Sequence, residues 1–223
     1  VNCFKYPKAG ENNSLVTIHV FDLESNEIRI MDTWKETDQY IPRIKWTASP
    51  DKLCIIRLNR MQNKVEVLLA NPFTGNSSVV YAEENERFIS DIDDNFIHFT
   101  GDGKFFVLHS EQSGNFHFYL YRLDGSMVNT ITSGRWDARK LLGIDEKKGI
   151  LYFTANRESE IQQHVYSAKL DGKNIKRISN NAGTNDAEFS NNFRYYIETW
   201  SDANNPFTYT VCLNDGTVLR TLE

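Results

Sequence analysis

Hydrophobic positions in this chain fall in short runs of period two, punctuated by turn residues at regular intervals. Alternation is plain in FHFYLYRL (Phe116–Leu123) and HVYSAKL (His164–Leu170), the pattern of a half-buried strand. LCIIRL (Leu53–Leu58), KVEVLLA (Lys64–Ala70), FFVLHS (Phe105–Ser110), ILYFTA (Ile150–Ala155) and RYYIETW (Arg194–Trp200) read as further strands. Between them lie Pro50-Asp51-Lys52, Gly101-Asp102-Gly103, Lys147-Lys148-Gly149 and Asn191-Asn192, each marking a hairpin. The Asp-Gly step favours turns with positive φ. No segment of ten or more residues carries a helical stripe, so an all-β chain is predicted.

The strands recur as a unit. Closing turns carry Gly75, Gly125, Gly172 and Gly216, in the contexts NPFTG, RLDG, KLDG and LNDG, at separations of 50, 47 and 44 residues. Trp46, Phe99, Ile144 and Phe189 recur at 53, 45 and 45 residues, and are expected to start each core strand and to be buried between sheets. Four strands repeating near every 45 residues is the signature of β-propeller blades. The fold class is therefore all-β, a partial β-propeller of about four four-stranded blades, near 41–82, 88–133, 138–180 and 184–223. A half blade at 15–33 precedes them, with Asn26 in the closing-turn position 49 residues before Gly75. Its inner strands would lie upstream, and VNCFKYPKAG looks like the interior of a longer protein, so a fragment is expected. Ending a ring midway bares apolar sheet faces, which predicts self-association.

Composition narrows the function classes. A net charge of −5 with scattered Lys and Arg argues against a sequence-independent nucleic-acid surface. No apolar run is long enough to span a bilayer as a helix. Cys3, Cys54 and Cys212 form no metal-spaced group; the last two sit in apolar strands, where buried free thiols are common, and one disulfide with a leftover thiol is also compatible.

Candidate chemistry is sparse. Gly75-Asn76-Ser77-Ser78-Val79 approaches the G-x-S-x-G nucleophile elbow but lacks its second Gly and a following helix, so it reads as a hairpin turn. Glu83-Glu84 reads as a solvated pair between blades. His19, His98, His109, His117 and His164 make no local ligand pair; His117 and His164 hold the same place in successive repeats, which predicts a structural bond to a neighbouring blade. Asp91, Asp93 and Asp94 lack the Gly and distal Glu of a calcium loop. Asn12-Asn13-Ser14 and Asn76-Ser77-Ser78 fit the glycosylation sequon, a pattern frequent by chance. No catalytic residue, metal site or cofactor is expected.

Several segments together resemble one family. YPKAGENNS (Tyr6–Ser14), IRLNRMQN (Ile56–Asn63) after Trp46, HFTGDGKFFVLHSEQSGNFHFYLY (His98–Tyr121) and GILYFTANRESEIQQHVYSAKLDG (Gly149–Gly172) are similar, in order, to the second half of the N-terminal propeller of dipeptidyl-peptidase-IV-like serine peptidases. The resemblance implies an exported parent, periplasmic or at a cell surface and dimeric, that releases X-Pro or X-Ala dipeptides from peptide N-termini. An eight-bladed propeller there caps an α/β-hydrolase domain and controls access to it. The catalytic Ser, Asp and His would follow Glu223, and the Glu pair that clamps the substrate amine would precede YPKAG. In the family an Arg and an aromatic just before the HFT-DG element line the substrate cavity. Here those positions are Asp93 and Ile92, which suggests an altered preference beyond the scissile bond. Peptide substrates and the hydrolase domain are thus the expected partners. The rival reading is a propeller used only for protein binding.

Overall fold

A computed structural model of the chain describes residues 10–90 and 92–222. Among them there is no helix, and the strands form five antiparallel sheets. A hairpin of β1 (His19–Phe21) and β2 (Ile28–Ile30) comes first. Four meanders follow, each with its strands in sequence order. They are β3 (Gln39–Trp46), β4 (Leu53–Asn59), β5 (Lys64–Ala70) and β6 (Ser77–Glu84); β7 (Ile97–Phe99), β8 (Phe105–Ser110), β9 (His117–Arg122) and β10 (Met127–Thr130); β11 (Ala138–Asp145), β12 (Ile150–Ala155), β13 (His164–Lys169) and β14 (Lys176–Arg177); and β15 (Thr184–Phe189), β16 (Tyr195–Ser201), β17 (Thr208–Leu213) and β18 (Val218–Thr221). A four-stranded antiparallel meander repeated in this way is the blade of a β-propeller.

The chain divides into two compact units. The first holds residues up to Asp94 with the turns Gly101–Lys104 and Leu123–Ser126; the second holds the rest. In the first, Val20 of β1 joins Met31, Leu53, Ile55, Leu68 and Ala70 in one core. The opposite face of the hairpin leaves Phe21, Ile28 and Ile30 exposed. In the second, Val107, Phe118 and Leu120 pack with Leu151, Phe153 and Tyr166, while Tyr152, Val165 and Ile178 pack with Ala187, Tyr196 and Cys212. Strands β4, β5, β8, β9, β12 and β13 thus bury side chains on both faces, whereas β16 and β17 bury them on one.

The repeat is kept to the residue. Trp46 pairs with Leu53, Phe99 with Phe106, Ile144 with Leu151 and Phe189 with Tyr196, always seven residues on. Trp46, Phe99 and Phe189 end the first strand of their meanders and Ile144 is next to the end of its own, so none starts a strand. Their burial is unequal, contrary to expectation: Ile144 is buried, Phe99 and Phe189 are partly so, and Trp46 is 55% exposed. Register is fixed by the hairpin, but cover comes from whichever sheet lies opposite.

The closing turns have a shared geometry. Gly75, Gly125, Gly172 and Gly216 have φ of +81°, +88°, +79° and +95°. Each turn lies against a backbone carbonyl from the preceding sheet. A Cβ on Gly75 would sit 2.6 Å from the Ile30 oxygen, and one on Gly172 2.6 Å from the Thr130 oxygen; Gly125 and Gly216 press closer still on Val80 and Ile178. Only a residue without Cβ meets both demands. Asn26, in the equivalent place in the first hairpin, also takes a left-handed φ of +58°. Asp124, Asp171 and Asp215 each accept the amide two residues on, a bond that spans the glycine and shapes the turn around it.

Gly172→Ala is therefore expected to cost at least ~2 kcal/mol, combining left-handed strain with displacement of the Thr130 carbonyl. Gly149, at φ +64° but with nothing within 4 Å of its would-be Cβ, should cost only ~1 kcal/mol on the same change. Urea unfolding of the two variants side by side checks this, and equal losses would mean that the close approach contributes nothing.

Candidate functional site

The stretch before β7 supplies the two residues that the resemblance singles out. Ile92 is buried and Asp93 exposed, and both line a cleft of about 600 Å³ with Asn13, Gln39, Tyr40 and Arg43. Asp91 lies outside the described residues. The floor is β3, whose bulge between Tyr40 and Arg43 breaks the regular pairing with β4. A bulge re-aims side chains, and here it falls where the strand borders the cleft.

Arg43 crosses from β3 to this stretch. Its Nε donates to Asp94 Oδ1 at 2.9 Å, and its terminal nitrogen donates to the Pro42 carbonyl at 2.8 Å. Lys45 Nζ donates to the Asp94 carbonyl at 3.3 Å. With Arg43 44% exposed and Asp94 86% exposed, the pair sits in high dielectric and fixes geometry more than it adds stability. Asp94 therefore serves an arginine. Sequence reading missed Arg43 and Tyr40, because nothing local links them to residues some fifty positions on.

A second cleft, about 680 Å³, opens beside Trp34, Arg57, Asn59, Lys64 and Glu66, and it shares Gln39 with the first. The only sequence signal for it is a lone Trp within the polar DTWKETD.

The other candidates resolve into structure. Gly75 and Asn76 end the turn from β5 into β6, Ser77 and Ser78 begin β6, and Ser77 Oγ donates to the Asp32 carbonyl. Glu83 and Glu84 lie within β6 rather than in a connection, paired with Val65 and Lys64, and Glu83 accepts the Tyr81 hydroxyl at 2.6 Å. Cys54 and Cys212 are buried free thiols, and burial pushes Cys54 up to about 12. Cys3 lies outside the described residues.

His117 and His164 are equivalent, with a correction to their partners. His117 Nδ1 lies 3.1 Å from Thr132 Oγ1, just past its own sheet's last strand; His164 Nδ1 lies 3.1 Å from Ser179 Oγ in the matching place. Each hydroxyl also accepts the next backbone amide, from Phe118 and Val165. For His117 the bond therefore closes its own sheet rather than reaching a neighbour, whereas His164 does both, since its Nδ1 also lies 3.2 Å from Asn185 Nδ2 of β15 in the next sheet, as expected. Nε2 of each faces an acceptor, the Gly134 carbonyl and Gln162 Oε1. Nε2 therefore carries the proton while Nδ1 accepts, the pattern of a neutral ring.

Residues 1–207 match the family model described as the dipeptidyl peptidase IV N-terminal region. The chain belongs to this family. It is 28% identical over 222 residues to dipeptidyl peptidase 4 of Arthroderma otae, covering 95% of this chain and 28% of that protein. The crystal structure of Porphyromonas gingivalis dipeptidyl peptidase 4 superposes with a TM-score of 0.92 at 37% identity, covering 99% of this chain and 31% of the other. A putative dipeptidyl aminopeptidase IV from Bacteroides ovatus shares the fold, with a TM-score of 0.85 at 20% identity, over 100% of this chain and 34% of its own. The chain thus spans only about a third of the length of these relatives.

Burial holds His117 and His164 below the ordinary imidazole value of 6.5. The unfolded chain then binds protons more tightly, so their contribution is present above about pH 6.5 and lost as pH falls toward the folded values. The urea midpoint should drop between pH 7 and 5.5, and a His117→Gln/His164→Gln double variant should show a shallower drop. An unchanged slope would contradict the buried neutral assignment.

Proposed function

We propose that this segment is the non-catalytic propeller portion of a serine-type dipeptidyl peptidase, and that the cleft at Ile92 and Asp93 lines the peptide's route to a hydrolase domain elsewhere in the polypeptide. The observation that carries this is the match over nearly the whole chain to about a third of a dipeptidyl peptidase 4 structure. A propeller suits such a task because its sheets are rigid while the connecting loops present side chains to a ligand. Ile92 and Asp93 come from one such connection, and Tyr40 and Arg43 come from the strand beside it. Acyl transfer needs a nucleophile, a base and an oxyanion hole in one place, so the chemistry falls to the other domain. An exported location, periplasmic or at the cell surface, fits the peptide-degrading role.

The intact protein should release p-nitroaniline from Gly-Pro-p-nitroanilide, whereas residues 1–223 alone should give no turnover. Absence of activity in the intact protein, with an interaction partner captured instead, would favour a purely scaffolding propeller. Turnover by the pure segment would overturn the division of labour.

A further inference from the structure

Trp34 adopts a conformation that a bulky side chain rarely takes, with φ of +70°, and still exposes 53% of its surface. The backbone around it is held from three sides. Its amide donates to Asp32 Oδ1 at 2.8 Å. The preceding carbonyl, of Thr33, accepts from Arg57 at 3.0 Å and from buried Gln39 Nε2 at 3.1 Å. Arg57 is itself clamped by Glu66 through contacts of 2.9 and 2.6 Å, and its guanidinium carbon lies 5.2 Å from the centre of the indole. Strain of this kind persists only where surroundings over-determine it, and it concentrates at ligand sites. The result is an aromatic surface fixed in advance, which loses little freedom when something packs on it.

Two further features indicate the occupant. The Trp34 cleft and the Ile92–Asp93 cleft share Gln39 in their walls, which puts both within reach of one extended peptide. From Gln39 to Arg43 the strand advances ~13 Å, the length of about four extended residues. The lining is also balanced in charge, with Lys35, Arg57 and Lys64 against Asp32, Glu36 and Glu66. Such a lining has no net charge with which to select a cation or an anion, which leaves the indole as its distinguishing surface.

We propose that the Trp34 cleft is an extended subsite that takes an aromatic or proline side chain of the peptide held in the Ile92–Asp93 cleft. The inference rests on the peptidase reading above. A substrate of two residues is too short to use it, whereas longer peptides gain a contact several residues from the first cleft. Trp34 is thus a residue that sets preference among long peptides, with no part in bond cleavage.

The test uses the intact protein with three substrates: Gly-Pro-p-nitroanilide, a nine-residue peptide beginning Gly-Pro and bearing Trp or Phe in its later positions, and its all-Ala counterpart. Trp34→Ala should raise KM for the aromatic peptide about two- to tenfold, the worth of one aromatic contact. KM for the Ala peptide and kcat for the anilide should hold, Trp34→Phe should recover most of the loss, and melting temperatures should confirm folding. If Trp34→Ala shifts both peptides equally, leaves both unchanged or slows the anilide, the subsite does not exist. If the unmodified protein fails on the anilide as well, the peptidase reading falls and takes this inference with it.

Discussion

The contact on which this architecture depends is the meeting of each closing turn with a backbone carbonyl of the preceding sheet. Four times a glycine at positive φ comes so near an oxygen, of Ile30, Val80, Thr130 or Ile178, that a side chain has no room. Polar groups reinforce the meeting. Asp32 N donates to the Gly75 carbonyl at 2.8 Å, Asn129 Nδ2 to the Leu170 carbonyl at 2.9 Å and Asn180 Nδ2 to the Gly216 carbonyl at 3.0 Å. Apolar packing between sheets is strong but non-directional, and it would tolerate sliding. A turn seated on a specific carbonyl sets how far one sheet is displaced along the next.

Fixing the sheets in this way frees the connections for function. Ile92 and Asp93 sit in a connection between meanders, and Trp34 sits in the connection before β3. Both are steadied by strand residues, Arg43 through Asp94 and Arg57 through Thr33. Side chains anchored on strands thus hold loops that would otherwise sample many conformations, and each loop bears an exposed group toward a cleft. The histidines perform the internal version of the same task. His117 and His164, with a hydroxyl fifteen residues on, secure the end of the outer strand within a single sheet.

The period, the strand content and the turn chemistry were legible because each has a local cause: alternation for strands, Asp-Gly for turns, a missing Cβ for close approach. The cover over each strand was less so. Trp46 and Ile144 share a register position, yet only Ile144 is buried, because burial depends on a facing sheet and not on the strand itself. The histidine partners differ for a related reason: only His164 reaches the next sheet, through Asn185, since an equivalent position in two repeats does not say whether the bond runs within a sheet or across. Of the first cleft, Ile92 and Asp93 were reached by resemblance, whereas Tyr40 and Arg43 come from another strand. The Trp34 cleft was invisible, because its walls are brought together by Arg57 and Glu66, 23 and 32 residues further along.

If the closing turns hold the sheets to one another, weakening one should loosen the sheet it rests on. Hydrogen–deuterium exchange of a Gly216→Ala variant, with peptides resolved by mass spectrometry, measures this directly. Exchange should quicken in the turn around Gly216 and equally in Lys176–Asn180 of the preceding sheet, where Ile178 and Asn180 meet it, while β4 and β5 stay protected. Faster exchange confined to the turn itself, or spread evenly over all sheets, would contradict the account.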